Sequence, residues 1–278
     1  MTSIAATDRF IPLNDGHHIP PLGLGVWQIP DTQARTLVGH ALKAGYRCLD
    51  TAATYGNEGG VGAAIADSAL ERRDVFLTTK VWNTEQGYDS TLRAFDASLS
   101  RLGTGYVDLY LIHWPLARED KYVATFRALI ELQQRGVAKS IGVSNFTCAH
   151  LQRLIDETGV TPAINQIELH PRLNQIELRE FHRTHGIVTQ AWSPLGQGQT
   201  LAEPVIKEIA HQHQRTPAQV ILRWHLQIGT MPLPKSATPE RVLSNTKIFD
   251  FELDPADMDS IRALNSGARI GSDPDIMW

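Results

Sequence analysis

Residues 75–113 read VFLTTKVWNTEQGYDSTLRAFDASLSRLGTGYVDLYLIH. The stretch opens with a short apolar run at 75–80 and closes with another at 107–113, each ending in a polar residue, Lys80 and His113. Between them, 89–102 places apolar residues at helical spacing and stops at Gly103, the residue type that most readily takes up the left-handed conformation ending a helix. Strand, helix and strand joined by crossovers this short give parallel strands.

The same alternation extends in both directions. Further strands are expected at 22–26, 46–50, 138–143, 163–166, 187–191 and 230–232, with helices at 32–44 closing at Gly45 and at 118–135 closing at Gly136. Eight such units close into a (β/α)8 TIM barrel better than they form an open sheet, and barrels of about 250 residues fold as one domain. Upstream, Asn14-Asp15-Gly16 separates two short extended runs and predicts a small N-terminal β-hairpin, with residues 1–8 as a loose tail. No Pro/Ser-rich or low-complexity segment divides the chain, so 1–278 reads as a single domain.

Composition narrows the functional classes. Lys+Arg number 26 against 30 Asp+Glu, a net charge of −4, which argues against a nucleic-acid binder or a polybasic membrane surface. Only Cys48 and Cys148 are present, and no apolar stretch reaches the roughly 18 residues of a membrane span. A cytoplasmic protein without a disulfide framework is expected. His211-Gln212-His213 offers two imidazoles, but they fall in an expected helix at 203–214, where i and i+2 do not share a face; no metal is expected.

In a barrel of this kind the working residues lie at the carboxyl ends of the strands. Asp50, Lys80 and His113 end the second, third and fourth runs, and Tyr55 follows Asp50 in a loop able to return the phenol over the barrel mouth. Singly, each has an ordinary reading, as a loop cap, a surface lysine, a core histidine or a loop tyrosine. Together their chemistry is complementary. A phenol with a reference pKa of about 10 needs a nearby cation to act near neutrality, Lys80 can be that cation, and Asp50 would keep Lys80 charged in a partly buried site. His113 can donate to a substrate oxygen. The set suits protonating an oxygen while a carbonyl carbon accepts a hydride.

A hydride needs a carrier. Gly23-Leu24-Gly25 and Gly196-Gln197-Gly198 both lack the third glycine of a Rossmann fingerprint, and no Tyr-x-x-x-Lys spacing occurs, so the barrel itself would hold the cofactor. Ser144, Asn145 and Gln166 fall at strand ends as hydrogen-bonding groups, and Trp192 could stack on a flat ring. After the last strand, residues 234–241 open a helix and carry Lys235 and Arg241, a local basic cluster that suits a phosphate.

The chain resembles the aldo-keto reductases from the hairpin almost to the C-terminus. The resemblance is carried by Gly23-Leu24-Gly25-Val26-Trp27, Leu49-Asp50-Thr51-Ala52 with Tyr55-Gly56-Asn57-Glu58, Thr79-Lys80-Val81-Trp82 and Asp108-Leu109-Tyr110-Leu111-Ile112-His113-Trp114-Pro115. Further on come Ile141-Gly142-Val143-Ser144-Asn145-Phe146, Asn165-Gln166-Ile167-Glu168-Leu169-His170-Pro171 and Trp192-Ser193-Pro194-Leu195-Gly196. The tryptophan at 192 and Asp273-Pro274-Asp275 in the short tail are similar to the bacterial 2,5-diketo-D-gluconate reductase branch.

The resemblance implies a catalytic tetrad of Asp50, Tyr55, Lys80 and His113 with Tyr55 as general acid, and NADPH as cofactor. It implies that Ser144, Asn145 and Gln166 bind the nicotinamide carboxamide and that the ring stacks on Trp192. Ser193, Leu195 and Gly196 would line the pyrophosphate path, and Lys235, Ser236, Thr238, Arg241 and Asn245 would hold the adenosine end with its 2′-phosphate. Trp27, Trp82 and Trp114 match the family's aromatic substrate wall. The expected activity is reduction of small aldehydes, α-dicarbonyls or keto-sugars by a monomer. The alternative is a slow or non-catalytic NADPH-binding sensor, which would oxidise its cofactor once per chain.

Overall fold

A computed structural model describes residues 10–277; the tail expected at 1–8 lies outside them. The hairpin is β1 (Ile11–Pro12) and β2 (His18–Ile19), paired antiparallel. Eight parallel strands follow in sequential order: β3 (Leu24–Gly25), β4 (Cys48–Asp50), β5 (Phe76–Val81), β6 (Val107–Ile112), β7 (Ala138–Ser144), β8 (Ile164–Glu168), β9 (Val188–Trp192) and β10 (Met231–Leu233). The sheet curls until its edges meet. Gly23 N–H donates to Pro232 O and Gly25 N–H to Pro234 O, both at 3.2 Å, which bridges β3 to β10. The approach at this seam depends on Gly23, where a Cβ would lie 2.5 Å from Leu233 Cδ2.

Helices α1 (Asp31–Lys43), α2 (Glu58–Ala66), α3 (Tyr88–Leu102), α4 (Tyr122–Gln134), α5 (Cys148–Thr158) and α6 (Ile176–His185) each follow one strand. β9 is followed by two, α7 (Pro204–Gln212) and α8 (Pro217–Gln227), and β10 by α9 (Pro239–Ser244) and α10 (Pro255–Arg262). The helix expected from residue 118 begins only at Tyr122. Leu116 (φ 43°) and Asp120 (φ 52°) take left-handed conformations that break the helical run, and a periodic apolar pattern cannot register this. His213, one of the two imidazoles near the end of α7, has its Nε2 2.7 Å from Asp257 Oδ2 of α10.

Two apolar cores result. The larger lies between the strands and the helices, and includes Leu49, Leu77, Tyr110, Phe126, Ile141 and Trp224. The smaller lies inside the barrel at the amino ends of the strands, where Leu13 and Ile19 of the hairpin pack on Cys48, Phe76, Leu109, Ile164 and Met231. Burying two aliphatic side chains contributes about 1.5–3 kcal/mol each, so the hairpin is held as a stopper at that end. Polar chemistry inside the barrel is thereby left to the opposite, carboxyl end.

Two buried imidazoles tie helices to the strands behind that end. His182 of α6 accepts from Asn165 Nδ2 (2.9 Å) and donates from Nδ1 to Thr189 Oγ1 (2.8 Å). His225 of α8 donates from Nε2 to Pro194 O (3.1 Å). Burial pushes each down to about 3.

Since the folded-state values lie below the unfolded reference near 6.5, the unfolded chain binds more protons between the two. Stability is therefore full above about pH 6.5 and falls by about 1 kcal/mol per pH unit for each imidazole as the pH drops toward 3. Urea unfolding at a series of acidic pH values should show this slope; a flat response between pH about 6 and 4 would contradict it. A second expectation concerns α2, where Gly62 lies against the end of α3 and a Cβ would fall 2.0 Å from Leu102 O. Alanine there gains about 1 kcal/mol of helix propensity but meets rigid backbone, so Gly62→Ala should destabilise by about 1–3 kcal/mol net in the same assay.

Candidate active site

At the carboxyl end of the barrel the expected residues from β4, β5 and β6 do converge. Asp50 is the last residue of β4, and Lys80 points inward from β5, wholly buried. Lys80 Nζ donates to Asp50 Oδ2 (2.7 Å), to Thr51 O (2.9 Å) and to Tyr55 Oη (3.5 Å). Burial by itself would lower the lysine's pKa. Asp50 and the Tyr55 oxygen outweigh it and raise the value, so the ammonium persists.

Tyr55 reaches this point through a single 3₁₀ turn, Ala53–Tyr55, closed by Gly56 in the left-handed conformation (φ 66°). The turn is held from behind. Buried Asn57 donates from Nδ2 to Val26 O and Ile29 O, both at 2.9 Å, and accepts from Thr51 Oγ1 at 2.6 Å. Glu58, next along, accepts from Thr79 Oγ1 (2.5 Å) and from Arg101 Nε (2.6 Å), which fastens α2 to β5 beside Lys80. The Tyr55-Gly56-Asn57-Glu58 motif is thus one device: a phenol, its turn and two anchors.

The electrostatics of the phenol differ from the expectation. Burial raises the Tyr55 pKa more than Lys80 lowers it, so the net direction is upward rather than toward neutrality. A sequence argument that weighs only charged neighbours omits desolvation, which dominates here. His113 follows β6 directly, its N–H bonded to Val81 O, and its ring meets Tyr55 (5.6 Å between centroids) and Trp82 (5.0 Å) edge-on. Burial, then the Lys80 charge, depress the imidazole well below its usual value, and it is neutral at physiological pH. Its Nδ1 is buried without a hydrogen-bond partner among the described residues.

A polar belt continues across the barrel. Gln166 of β8 donates to Asp50 Oδ1 (2.8 Å) and to Gln190 Oε1 (2.6 Å), and Gln190 of β9 donates to Met231 Sδ (2.9 Å). The amide nitrogen of Gln166 is thus engaged in holding Asp50. Ser144 donates to Gln166 O (2.8 Å), Asn145 donates to His113 O (2.9 Å), and Trp192 Nε1 donates to Asn145 Oδ1 (2.8 Å). Ser193 (φ 47°) and Gly196 (φ 58°) turn the chain after β9, and Thr200 Oγ1 closes that loop on Leu195 O (2.7 Å).

The remaining expected residues sit around this centre. Lys235 before α9 and Arg241 within it are exposed, with no ion-pair partner among the described residues, while Ser236 and Asn245 are buried and Thr238 precedes the helix. Of the three tryptophans, Trp82 touches His113, Trp27 is exposed on the loop after β3, and Trp114 is buried with its carbonyl bonded to Gln86 (2.7 Å). Sequence reasoning gave no role to Asn57, Glu58, Gln190 or Glu168. The first, second and fourth lie inside the quoted motifs, which was the available signal; Gln190 carried none.

A family model described as the aldo/keto reductase family matches residues 21–266. The chain is 58% identical over 264 residues to an aldo-keto reductase of Mycolicibacterium smegmatis, covering 95% of this chain and 96% of that one. It is 47% identical over 272 residues to the methylglyoxal reductase DkgA of Escherichia coli, covering 97% and 98%. A crystal structure of a Gox0644 variant in complex with NADPH superposes with a TM-score of 0.94 at 49% identity, covering 97% and 98%. This chain belongs to the aldo/keto reductase family.

Proposed function

We propose that the chain is an NADPH-dependent reductase of small aldehydes, α-dicarbonyls or keto-sugars in which Tyr55 delivers the proton to the carbonyl oxygen. The observation that carries this reading is the placement of a protonated phenol 3.5 Å from an ammonium that is itself anchored on Asp50 at 2.7 Å. The methylglyoxal reductase activity in the name of one relative and the NADPH in the complex of another support the substrate and cofactor classes.

The residues present fit such a cofactor. Two cations at 235 and 241, without ion-pair partners among the described residues, suit a 2′-phosphate. Ser144, Asn145 and Gln166 would meet a carboxamide with what their own bonds leave over, such as Gln166 Oε1, the amide nitrogen being held by Asp50 and Gln190. The indole of Trp192 offers a stacking face, and Ser193, Leu195 and Gly196 the path between the two ends. When bound, NADPH supplies the hydride.

The chain's own groups would do the rest. His113, held neutral by burial, orients the carbonyl oxygen, and Trp27, Trp82 and Trp114 wall the substrate. Tyr55 gives its proton as negative charge develops on that oxygen, and the Lys80 ammonium stabilises the phenolate left behind. Asp50 keeps Lys80 charged and fixed. We further propose that residues 1–278 act as one domain and as a cytoplasmic monomer. No helix among the described residues is long and apolar enough to cross a membrane.

Following NADPH oxidation with methylglyoxal tests the reading. The unmodified chain should turn over many times, and Tyr55→Phe should lower kcat/KM by about 10²- to 10⁴-fold while still binding NADPH. Cofactor oxidised once per chain would favour the sensor instead, and undiminished turnover in Tyr55→Phe would remove the phenol from the mechanism. A charge-assisted bond to the 2′-phosphate is worth about 1.5–3 kcal/mol. Arg241→Ala should therefore lower the ratio of NADPH to NADH efficiency about ten- to a hundredfold.

A further inference from the structure

Glu168 is the last residue of β8, and its side chain is wholly buried. No lysine or arginine pairs with it among the described residues. Its carboxylate accepts instead from two consecutive backbone amides of the C-terminal segment, Ile270 N–H on Oε1 (2.6 Å) and Gly271 N–H on Oε2 (2.9 Å). His170 Nε2 lies 3.0 Å from Oε1. Burial pushes the carboxyl up, and His170 with the two amides pulls it further down, so the group stays ionised. A buried carboxylate is costly unless such bonds compensate it, so the chain end and Glu168 hold each other in place.

What this clamp presses on is Trp192. Glu168 and Trp192 are register partners on β8 and β9. At Gly271 a Cβ would lie 2.4 Å from Trp192 Cη2 and 3.1 Å from Glu168 Oε2, so the tail backbone rests flush on the benzo edge of the indole. The opposite edge is fixed by Trp192 Nε1–H donating to Asn145 Oδ1 (2.8 Å), and Asn145 is bonded in turn to His113 O. The tail is tied elsewhere by Ser266 N–H donating to Arg172 O (3.1 Å) and by Asp275 Oδ1 lying 3.7 Å from His150 Nε2. A cavity of about 460 Å³ separates Asn265, Gly267, Arg269 and Pro274 from the starts of α5 and α6.

We infer that Glu168 is a positioning residue: by clamping the backbone at Ile270 and Gly271 onto the edge of Trp192, it fixes the ring against which the nicotinamide stacks. The inference rests on the proposed role of Trp192 and of NADPH. Glu168→Gln keeps the shape but turns one acceptor into an amide donor facing an N–H. Gly271→Ala crowds the same indole edge from the tail and leaves Glu168 intact.

The test measures NADPH affinity by quenching of tryptophan fluorescence, together with Tm and steady-state kinetics. Both variants should weaken NADPH binding about tenfold and raise its KM in parallel, the effect of one hydrogen bond's worth of positioning, with kcat at saturating NADPH changed less than about twofold. The double variant should lose less than the sum of the two, because both act on one contact. Unchanged NADPH affinity in both variants, whatever happens to Tm, overturns the inference while leaving the reductase reading intact. An unmodified chain that binds no NADPH overturns that reading and this inference with it.

Discussion

A fully buried ammonium, Lys80, 2.7 Å from the Asp50 carboxylate, sets the terms for everything at the carboxyl end of this barrel. Removing one partner from such a pair leaves an uncompensated charge and costs about 3–5 kcal/mol, which is why both residues must arrive together and stay. Parallel strands achieve this by register. β4 and β5 are hydrogen-bonded neighbours, so two side chains near their carboxyl ends meet inside the barrel whenever the ladder forms. The second oxygen of Asp50 is not left to water but accepts from Gln166, whose nitrogen also reaches Gln190. The ion pair is thereby embedded in a satisfied polar belt, the condition under which buried polar groups rigidify a site rather than weaken it.

The loop that carries Tyr55 shows a second constraint. A phenol 3.5 Å from Lys80 is useful only if its loop does not drift, and a loop of this length has few contacts of its own. Asn57 removes the freedom by satisfying two carbonyls of the neighbouring βα loop, and Glu58 binds the following helix to β5. The hairpin at the other end of the barrel completes the arrangement. With Leu13 and Ile19 filling the amino end, the polar interior is concentrated at one mouth.

Much of this was legible in the sequence because barrel topology turns a one-dimensional feature, a polar residue ending an apolar run, into a three-dimensional one. Asp50, Lys80 and His113 announce themselves that way, whereas Gln166, expected at a strand end, lies in the middle of β8. What was not legible depends on partners far apart in sequence or on desolvation. Gln190 sits within a strand and gives no signal until Gln166 is placed beside it. Glu168 is one polar residue in a quoted motif until Ile270 and Gly271, about a hundred residues later, supply its amides. The late start of α4 comes from left-handed backbone at Leu116, a residue type with no local preference for that conformation, and at Asp120, which tolerates it better but gives no more than a weak signal. The direction of the Tyr55 pKa follows from burial, which a list of charged neighbours omits.

That direction bears on how the proposed chemistry would run. The buried ammonium and carboxylate cancel, Tyr55 is held protonated by burial, and His113 is held neutral by burial and by the nearby lysine. These four side chains therefore present almost no net charge to an entering neutral carbonyl, yet they include a proton donor and a fixed cation. Charge appears only as the carbonyl oxygen gains electron density, and it appears within reach of both. Interactions that strengthen as the reaction proceeds, and are weak toward the ground state, are those that accelerate a step instead of merely tightening binding. A phenol already ionised by Lys80 would have no proton to deliver in the proposed step. Desolvation of Tyr55 would thus serve the proposed reduction, and the lysine's contribution would belong to the moment of proton transfer.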